Sequence, residues 1–161
     1  MSDNQEWRLL YIDDDEEDYL VTRSLLERFQ GRTVHLERAS TYEGGVEKLT
    51  GGVYDAVLVD YDLGSHTGID LISKFAGQYP APLILYTGRG SYEVDVEAMQ
   101  AGATLYLTKS EATPLLLERF IRYAIERKQF EAQLRHGNEL ILESNRKLAR
   151  ELDERRRVEG Q

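Results

Sequence analysis

Four short apolar runs in this chain each stop at a polar side chain, and that punctuation limits the folds open to it. Leu9-Leu10-Tyr11-Ile12 runs into Asp13, Asp14 and Asp15, and Ala56-Val57-Leu58-Val59 runs into Asp60. Leu83-Ile84-Leu85-Tyr86 runs into Thr87, and Leu105-Tyr106-Leu107-Thr108 runs into Lys109. Runs of four or five apolar residues between polar or turn residues read as strands buried on both faces, as in a parallel sheet. A weaker strand is expected at 33–38. Helical spacing fills the gaps: Tyr19-Leu20 with Leu25-Leu26 and Phe29 before Gly31; Thr41 to Leu49 before Gly51-Gly52; Ile69 to Phe75; and Val94 to Met99 before Gly102. Thr113 and Pro114 read as the N-cap and first residue of a fifth helix. The alternation predicts an α/β fold, a five-stranded parallel sheet with helices on both faces, (βα)5.

The 161 residues suit one domain of ordinary size and an appendage. Residues 1–110 hold 19 acidic and 9 basic side chains, whereas residues 111–161 hold 10 and 11, so the two stretches differ in kind. A formal charge of −9 argues against direct nucleic-acid binding, which needs clustered Lys and Arg facing phosphates. Cysteine is absent, which removes disulfides, thiolate metal sites and Cys nucleophiles. His35, His66 and His136 are too scattered to suggest zinc. The acidic N-terminus does not resemble a signal peptide, and no run approaches the roughly 20 apolar residues of a membrane span. A cytoplasmic protein without membrane association is expected.

From Pro114 to about residue 157 there is no further proline, and a single helix of about 60 Å is possible. Leu117, Ala124, Glu131, Asn138, Asn145 and Leu152 share one heptad position; Phe120, Arg127, Leu134, Ile141, Leu148 and Arg155 share the other. The stretch Leu134, Asn138, Ile141, Asn145, Leu148, Leu152 predicts a coiled coil, with a folded body at 1–127 and a helical extension at 128–161. Asn138 and Asn145 on the seam favour two strands in register, hence a homodimer. A solvated charged helix is the alternative, since Arg127 and Glu131 interrupt the seam. Gly137 costs about 1 kcal/mol against alanine in such a helix and is a candidate hinge.

In open α/β sheets the ligand site lies beyond the carboxyl ends of the strands, which here gathers carboxylates, a hydroxyl and an ammonium. A carboxylate can attack phosphorus to form an acyl phosphate. Asp60 is the best candidate because it ends the most apolar run, expected at the sheet's centre. Asp13 or Asp14 with Asp60 would suit Mg²⁺, which is held by one or two carboxylates plus phosphate oxygens and water. Lys109 offers a compact cation to a phosphoryl oxygen, and Thr87 a hydroxyl donor. Singly, each has a plainer explanation: an Asp after a strand caps a helix or forms a turn, Thr87-Gly88 is a turn, and Lys109 is a solvated loop residue.

Together these segments carry a family resemblance. LLYIDDDEEDYL, AVLVDYDLGSHTGIDLI, LILYTGRG and AGATLYLTKS stand in the order found in receiver domains of bacterial two-component response regulators, which the chain resembles from about Trp7 to Lys128. The resemblance implies a flavodoxin-like fold whose last helix extends into a coiled coil. It implies that Asp60 takes a phosphoryl group from the phosphohistidine of a sensor histidine kinase or phosphotransfer protein. Asp13 and Asp14 would bind Mg²⁺ with Asp60 and the backbone carbonyl of Asp62. Lys109 and Thr87 would contact the phosphoryl group, and Tyr106 would be the aromatic whose rotamer follows Thr87. Such a protein accepts and loses phosphate without being a turnover enzyme. Within the family, the segment from Gly88 to Lys128 resembles receivers placed before a coiled-coil-linked output domain, so a longer parent chain is one expectation and a stand-alone dimeric receiver the other.

The sequence departs from the family pattern at three places. Ser110 follows Lys109 where proline in a cis peptide bond is usual, so either the loop differs or a cis bond is held under strain. Gly64 replaces a common proline, which should loosen the loop after Asp60. Asp62 and Arg89 stand at positions that tune dephosphorylation in the family. Two other readings compete. A haloacid-dehalogenase-like phosphatase would use Asp60-Tyr61-Asp62, but its motif follows the first strand and its cap is absent. A pseudo-receiver would bind partners without phosphorylation.

Overall fold

The computed structural model describes residues 6–160. Its elements are β1 (Glu6–Ile12), α1 (Glu16–Glu27), β2 (Thr33–Ala39), α2 (Tyr42–Gly51), β3 (Ala56–Val59), β4 (Asp62–Leu63), β5 (His66–Thr67), α3 (Gly68–Phe75), β6 (Leu83–Thr87), α4 (Tyr92–Ala101), β7 (Leu105–Thr108), one 3-10 turn (Lys109–Glu111) and α5 (Pro114–Glu159). The main sheet is parallel in the order β2-β1-β3-β6-β7. Counting only its own strands, this is the 2-1-3-4-5 order of the doubly wound, flavodoxin-like fold. The expected five βα units are present, and β3 is central with all four residues buried. Among the described residues no helix is long and apolar enough to cross a membrane. Backbone contacts divide the chain after Lys128 into two compact units.

In the first unit, strand alternation sorts the core into two halves. Trp7, Leu9, Tyr11, Ala56, Leu58, Ile84, Tyr86 and Leu107 pack with Leu26 and Phe29 on one face and with Leu117, Ile121 and Ala124 of α5. Leu10, Ile12, Val57, Val59, Leu83 and Leu85 pack with Leu49, Leu71, Ile72 and Ala98 from α2, α3 and α4 on the other. Pairing carries this order past the strand ends: Ile12 stands beside Val59, and the Asp60 N–H donates to the Ile12 carbonyl at 2.9 Å. Asp13 therefore reaches the same edge as Asp60.

Two of the sequence's departures from the family pattern lie around the strand ends. The segment after Asp60 forms a small antiparallel hairpin, Asp62 opposite Thr67 and Leu63 opposite His66. Its turn contains Gly64 at φ 81°, a value closed to proline, whose ring fixes φ near −65°. At the other departure no cis peptide bond is found among the described residues. Lys109–Ser110 is trans and opens the 3-10 turn, with the Ala112 N–H donating to the Lys109 carbonyl at 3.3 Å. A strained cis bond is thus not used.

In the second unit, residues 129–159 are helical without interruption at Gly137. Leu134, Ile141, Leu148 and Leu152 are each more than half exposed, and Asn138 and Asn145 are exposed with them.

Gly68 fixes the start of α3 against the strand that ends in Asp60. Its N–H donates to the Tyr61 carbonyl at 2.7 Å, and a Cβ there would collide with the Asp60 carbonyl oxygen and meet Val59 Cγ1 at 2.9 Å. Gly68→Ala should therefore lower stability by roughly 3 kcal/mol through overpacking. Gly51→Ala, with nothing within 4 Å of its Cβ, should be neutral or slightly stabilising. Urea denaturation of the two variants checks the contrast, and equal stabilities would contradict it.

Candidate functional site

The cluster at the carboxyl edge of the sheet is built around one ammonium. Lys109 Nζ lies 2.7 Å from Asp13 Oδ2, 2.8 Å from Asp18 Oδ2 and 3.1 Å from Asp60 Oδ1. β1, β3 and β7 deliver Asp13, Asp60 and Lys109 directly after their last residues, and the parity of these positions matches the face covered by α1 and α5. Asp18 comes from the first turn of α1. A lysine ammonium has three N–H donors and no acceptor, so three carboxylates match it fully.

Asp13 is wholly buried and correspondingly well bonded. Its Oδ1 accepts the Asp15 N–H at 2.9 Å, and its Oδ2 accepts the Tyr11 hydroxyl at 2.6 Å as well as Lys109. Burial, then the bond to Asp13, pushes the Tyr11 hydroxyl far above the ordinary tyrosine range, so it remains a proton donor. Tyr11 also packs edge-on against Tyr86, centroids 5.8 Å apart, which holds the phenol under the site.

The electrostatics follow from burial and crowding. Asp60 is pushed up from 3.8 to about 6, first by burial, then by the negative charge of Asp13, with Lys109 opposing both. Burial alone would lower Lys109, but its bonds to Asp13 and Asp18 and the charge of Asp60 raise it above the usual lysine value, so it stays charged. Carboxylate oxygens of Asp13, Asp14 and Asp60 lie within 4.8 Å of one another. Crowded hard oxygen donors, with Asp14 exposed at the mouth, fit Mg²⁺ in charge and ligand type.

The remaining expected residues sit beside this cluster. Thr87 is buried, and its Oγ1 accepts the Arg89 N–H at 3.1 Å. The Tyr106 hydroxyl donates to the Arg89 carbonyl at 2.9 Å and accepts the Ser91 N–H at 3.2 Å. No hydrogen bond joins Thr87 to Asp60 among the described residues; Thr87 and Tyr106 bond instead to the backbone of one residue, Thr87 at the Arg89 N–H and Tyr106 at the Arg89 carbonyl. The Asp62 carboxylate is outside the acidic cluster, exposed, and 3.4 Å from Arg89 Nε, while Arg89 lies over the Tyr61 ring. Two partners in the site, Tyr11 and Asp18, were not singled out from sequence. Tyr11 looks like one more apolar strand residue, and Asp18 looks like a helix-start acid.

Comparison with known proteins agrees with this geometry. The family model described as the response regulator receiver domain matches residues 9–121. The transcriptional regulatory protein KdpE of Mycobacterium tuberculosis is 30% identical over 126 residues, covering 78% of this chain and 54% of that protein. The chain thus spans about half the length of that curated relative. Among solved structures, a CheY-like response regulator receiver domain protein from Methanospirillum hungatei JF-1 aligns with TM-score 0.65 and 30% identity, covering 77% of this chain and 97% of that one. A response regulator receiver domain protein from Clostridium thermocellum aligns with TM-score 0.66 and 27% identity, covering 76% and 97%.

The raised Asp60 value makes a stability prediction. The folded state holds the Asp60 proton more tightly than the unfolded state does. Without divalent ions, stability is therefore lost as pH rises from about 4 through about 6. Asp60→Asn removes that penalty and should stabilise the metal-free protein by roughly 2–3 kcal/mol at pH 7.5, the gain vanishing near pH 4. Denaturation at the two pH values in EDTA measures it; no gain at pH 7.5 would mean that Lys109 compensates Asp60 completely.

Proposed function

Since the chain belongs to the response regulator receiver domain family, we propose that it accepts a phosphoryl group on Asp60 from the phosphohistidine of a sensor histidine kinase or phosphotransfer protein, in the cytoplasm and with Mg²⁺. The observation that carries this reading is the convergence of Asp13, Asp60 and Lys109, the residues that follow three strands, on one ammonium-centred cluster. An Asp60 oxygen bonds to phosphorus as the N–P bond of the donor breaks, and the imidazole keeps the electron pair and leaves neutral, protonated on its other nitrogen. Asp13, Asp14 and Asp60, with the Asp62 carbonyl, would hold the Mg²⁺, which when bound offsets the charge on the phosphoryl oxygens. Lys109 supplies a second cation to a phosphoryl oxygen and Thr87 a hydroxyl donor. Water later hydrolyses the acyl phosphate. The phosphatase reading has no support in the family matched, and the pseudo-receiver reading is weakened by the presence of every reactive side chain.

The signal follows from what Thr87 now holds. Drawing its hydroxyl toward a phosphoryl oxygen frees the Arg89 N–H, and the carbonyl of that same residue anchors Tyr106. Movement of Thr87 thereby loosens Tyr106, giving Thr87 and Tyr106 the switch roles. The receiver domain is read as 1–127 and the coiled-coil extension as 128–161. Leu134, Asn138, Ile141, Asn145, Leu148 and Leu152 are read as the seam of a homodimer, whose pairing the fifth helix changes on phosphorylation.

Two experiments test these readings. Incubation with labelled acetyl phosphate and Mg²⁺ should leave about one phosphate on the native chain. Asp60→Asn or EDTA should abolish labelling, and Lys109→Ala should reduce it by at least about tenfold; labelling of Asp60→Asn at the native level would refute the assignment. Sedimentation should show a dimer for the native chain and a monomer for Ile141→Asp combined with Leu148→Asp. A native monomer at high micromolar concentration would remove the coiled-coil reading.

A further inference from the structure

α1 and α3 begin with the same device and finish it differently. In α3, the N-cap Thr67 accepts the Asp70 N–H at 3.2 Å, and the Asp70 carboxylate reaches back to the Thr67 N–H at 3.0 Å, closing a capping box. In α1, the N-cap Asp15 accepts the Asp18 N–H at 3.0 Å. The return bond is missing because the Asp15 N–H is donated to Asp13 Oδ1 at 2.9 Å. The Asp18 carboxylate, relieved of its capping partner, turns to Lys109 at 2.8 Å.

We propose that Asp18 is a tether for Lys109 in the unphosphorylated protein, a positioning residue that competes with the incoming phosphoryl group for the lysine ammonium. The proposal rests on the reading of Asp60 as phosphoacceptor. All three N–H donors of Lys109 face carboxylates, so a phosphoryl oxygen arrives as a fourth acceptor. Asp13 cannot be released cheaply: it is wholly buried, and losing the ammonium would leave an under-compensated interior charge. Asp60 remains at the reaction centre. Asp18 is the partner whose carboxylate is 44% exposed, so water can replace the lysine there at small cost. Its negative charge also opposes the added charge of the phosphoryl group. Removal of Asp18 acts in one direction through both effects, making occupation of the site by a phosphoryl group easier. Its effect on Mg²⁺ is opposite or nil, since a carboxylate near the ion attracts it.

The test compares the full native chain with Asp18→Asn, Asp18→Ala and Asp18→Glu by calorimetric titration of Mg²⁺ alone and then of beryllofluoride at saturating Mg²⁺. Asp18→Asn and Asp18→Ala should bind beryllofluoride roughly three- to fivefold more tightly, the scale of a half-exposed ion pair, with Mg²⁺ affinity equal or lower. Asp18→Glu should restore native behaviour. Unchanged or weaker beryllofluoride binding in both neutral variants overturns the tether. Failure of the phosphoacceptor reading looks different, because beryllofluoride then binds Asp60→Asn as it does the native chain, or binds neither. The tether is decided in that case by reductive methylation of Lys109 followed by peptide mass spectrometry. The lysine should react about threefold faster in Asp18→Asn, on the same ion-pair scale, and an unchanged rate overturns it.

Discussion

A single ammonium stands among more negative charge than it can neutralise, and the rest of the site is arranged around that imbalance. Lys109 balances one of Asp13, Asp18 and Asp60 and is shared by all three. Asp14 adds a further carboxylate within reach of two of them. Opposite charges this close attract by about 4 kcal/mol at 4 Å for an effective dielectric near 20, and the like pairs repel on the same scale. Burial first, and then that repulsion from Asp13, raises Asp60 above its ordinary value. A site in this condition favours any divalent cation that can bridge its oxygens.

The fold holds such a cluster between closely packed neighbours. Tyr11 and Tyr86 are fully buried beneath it, and the Tyr11 hydroxyl gives Asp13 a partner that needs no charge of its own. Above it, Gly68 lets α3 begin against the Asp60 carbonyl at a distance no other residue permits.

Much of this was legible in the sequence, for a physical reason. Four of the five strands of the parallel sheet leave an apolar run without alternation, and the residue after each run must lie at one edge, so Asp13, Asp60, Thr87 and Lys109 could be gathered without coordinates. What escaped depends on finer geometry. The strands of the 62–67 hairpin are two residues each, too short for a run to register. Tyr11 sits inside an apolar run, where nothing distinguishes a phenol that only packs from one that donates. Asp18 carries the pattern of a helix-start acid, and its diversion to Lys109 is decided by where the Asp15 N–H goes. The Lys109–Ser110 bond was open between cis and trans, and the 3-10 turn accommodates the trans form.

The fifth helix shows how one pattern can serve two environments. Within the first unit, Leu117, Ile121 and Ala124 are wholly buried against the sheet, and spacing of four and three residues suffices to face them inward. In the second unit, Leu134, Ile141 and Leu148 repeat every seven residues with their surfaces in water. Seven residues is not two turns of a straight α-helix, so a stripe of that period drifts about the axis unless the helix supercoils with a partner. Packing against a flat sheet imposes no such repeat. The change from spacing set by a sheet to spacing set by a heptad is the sequence feature on which the proposed homodimer seam rests.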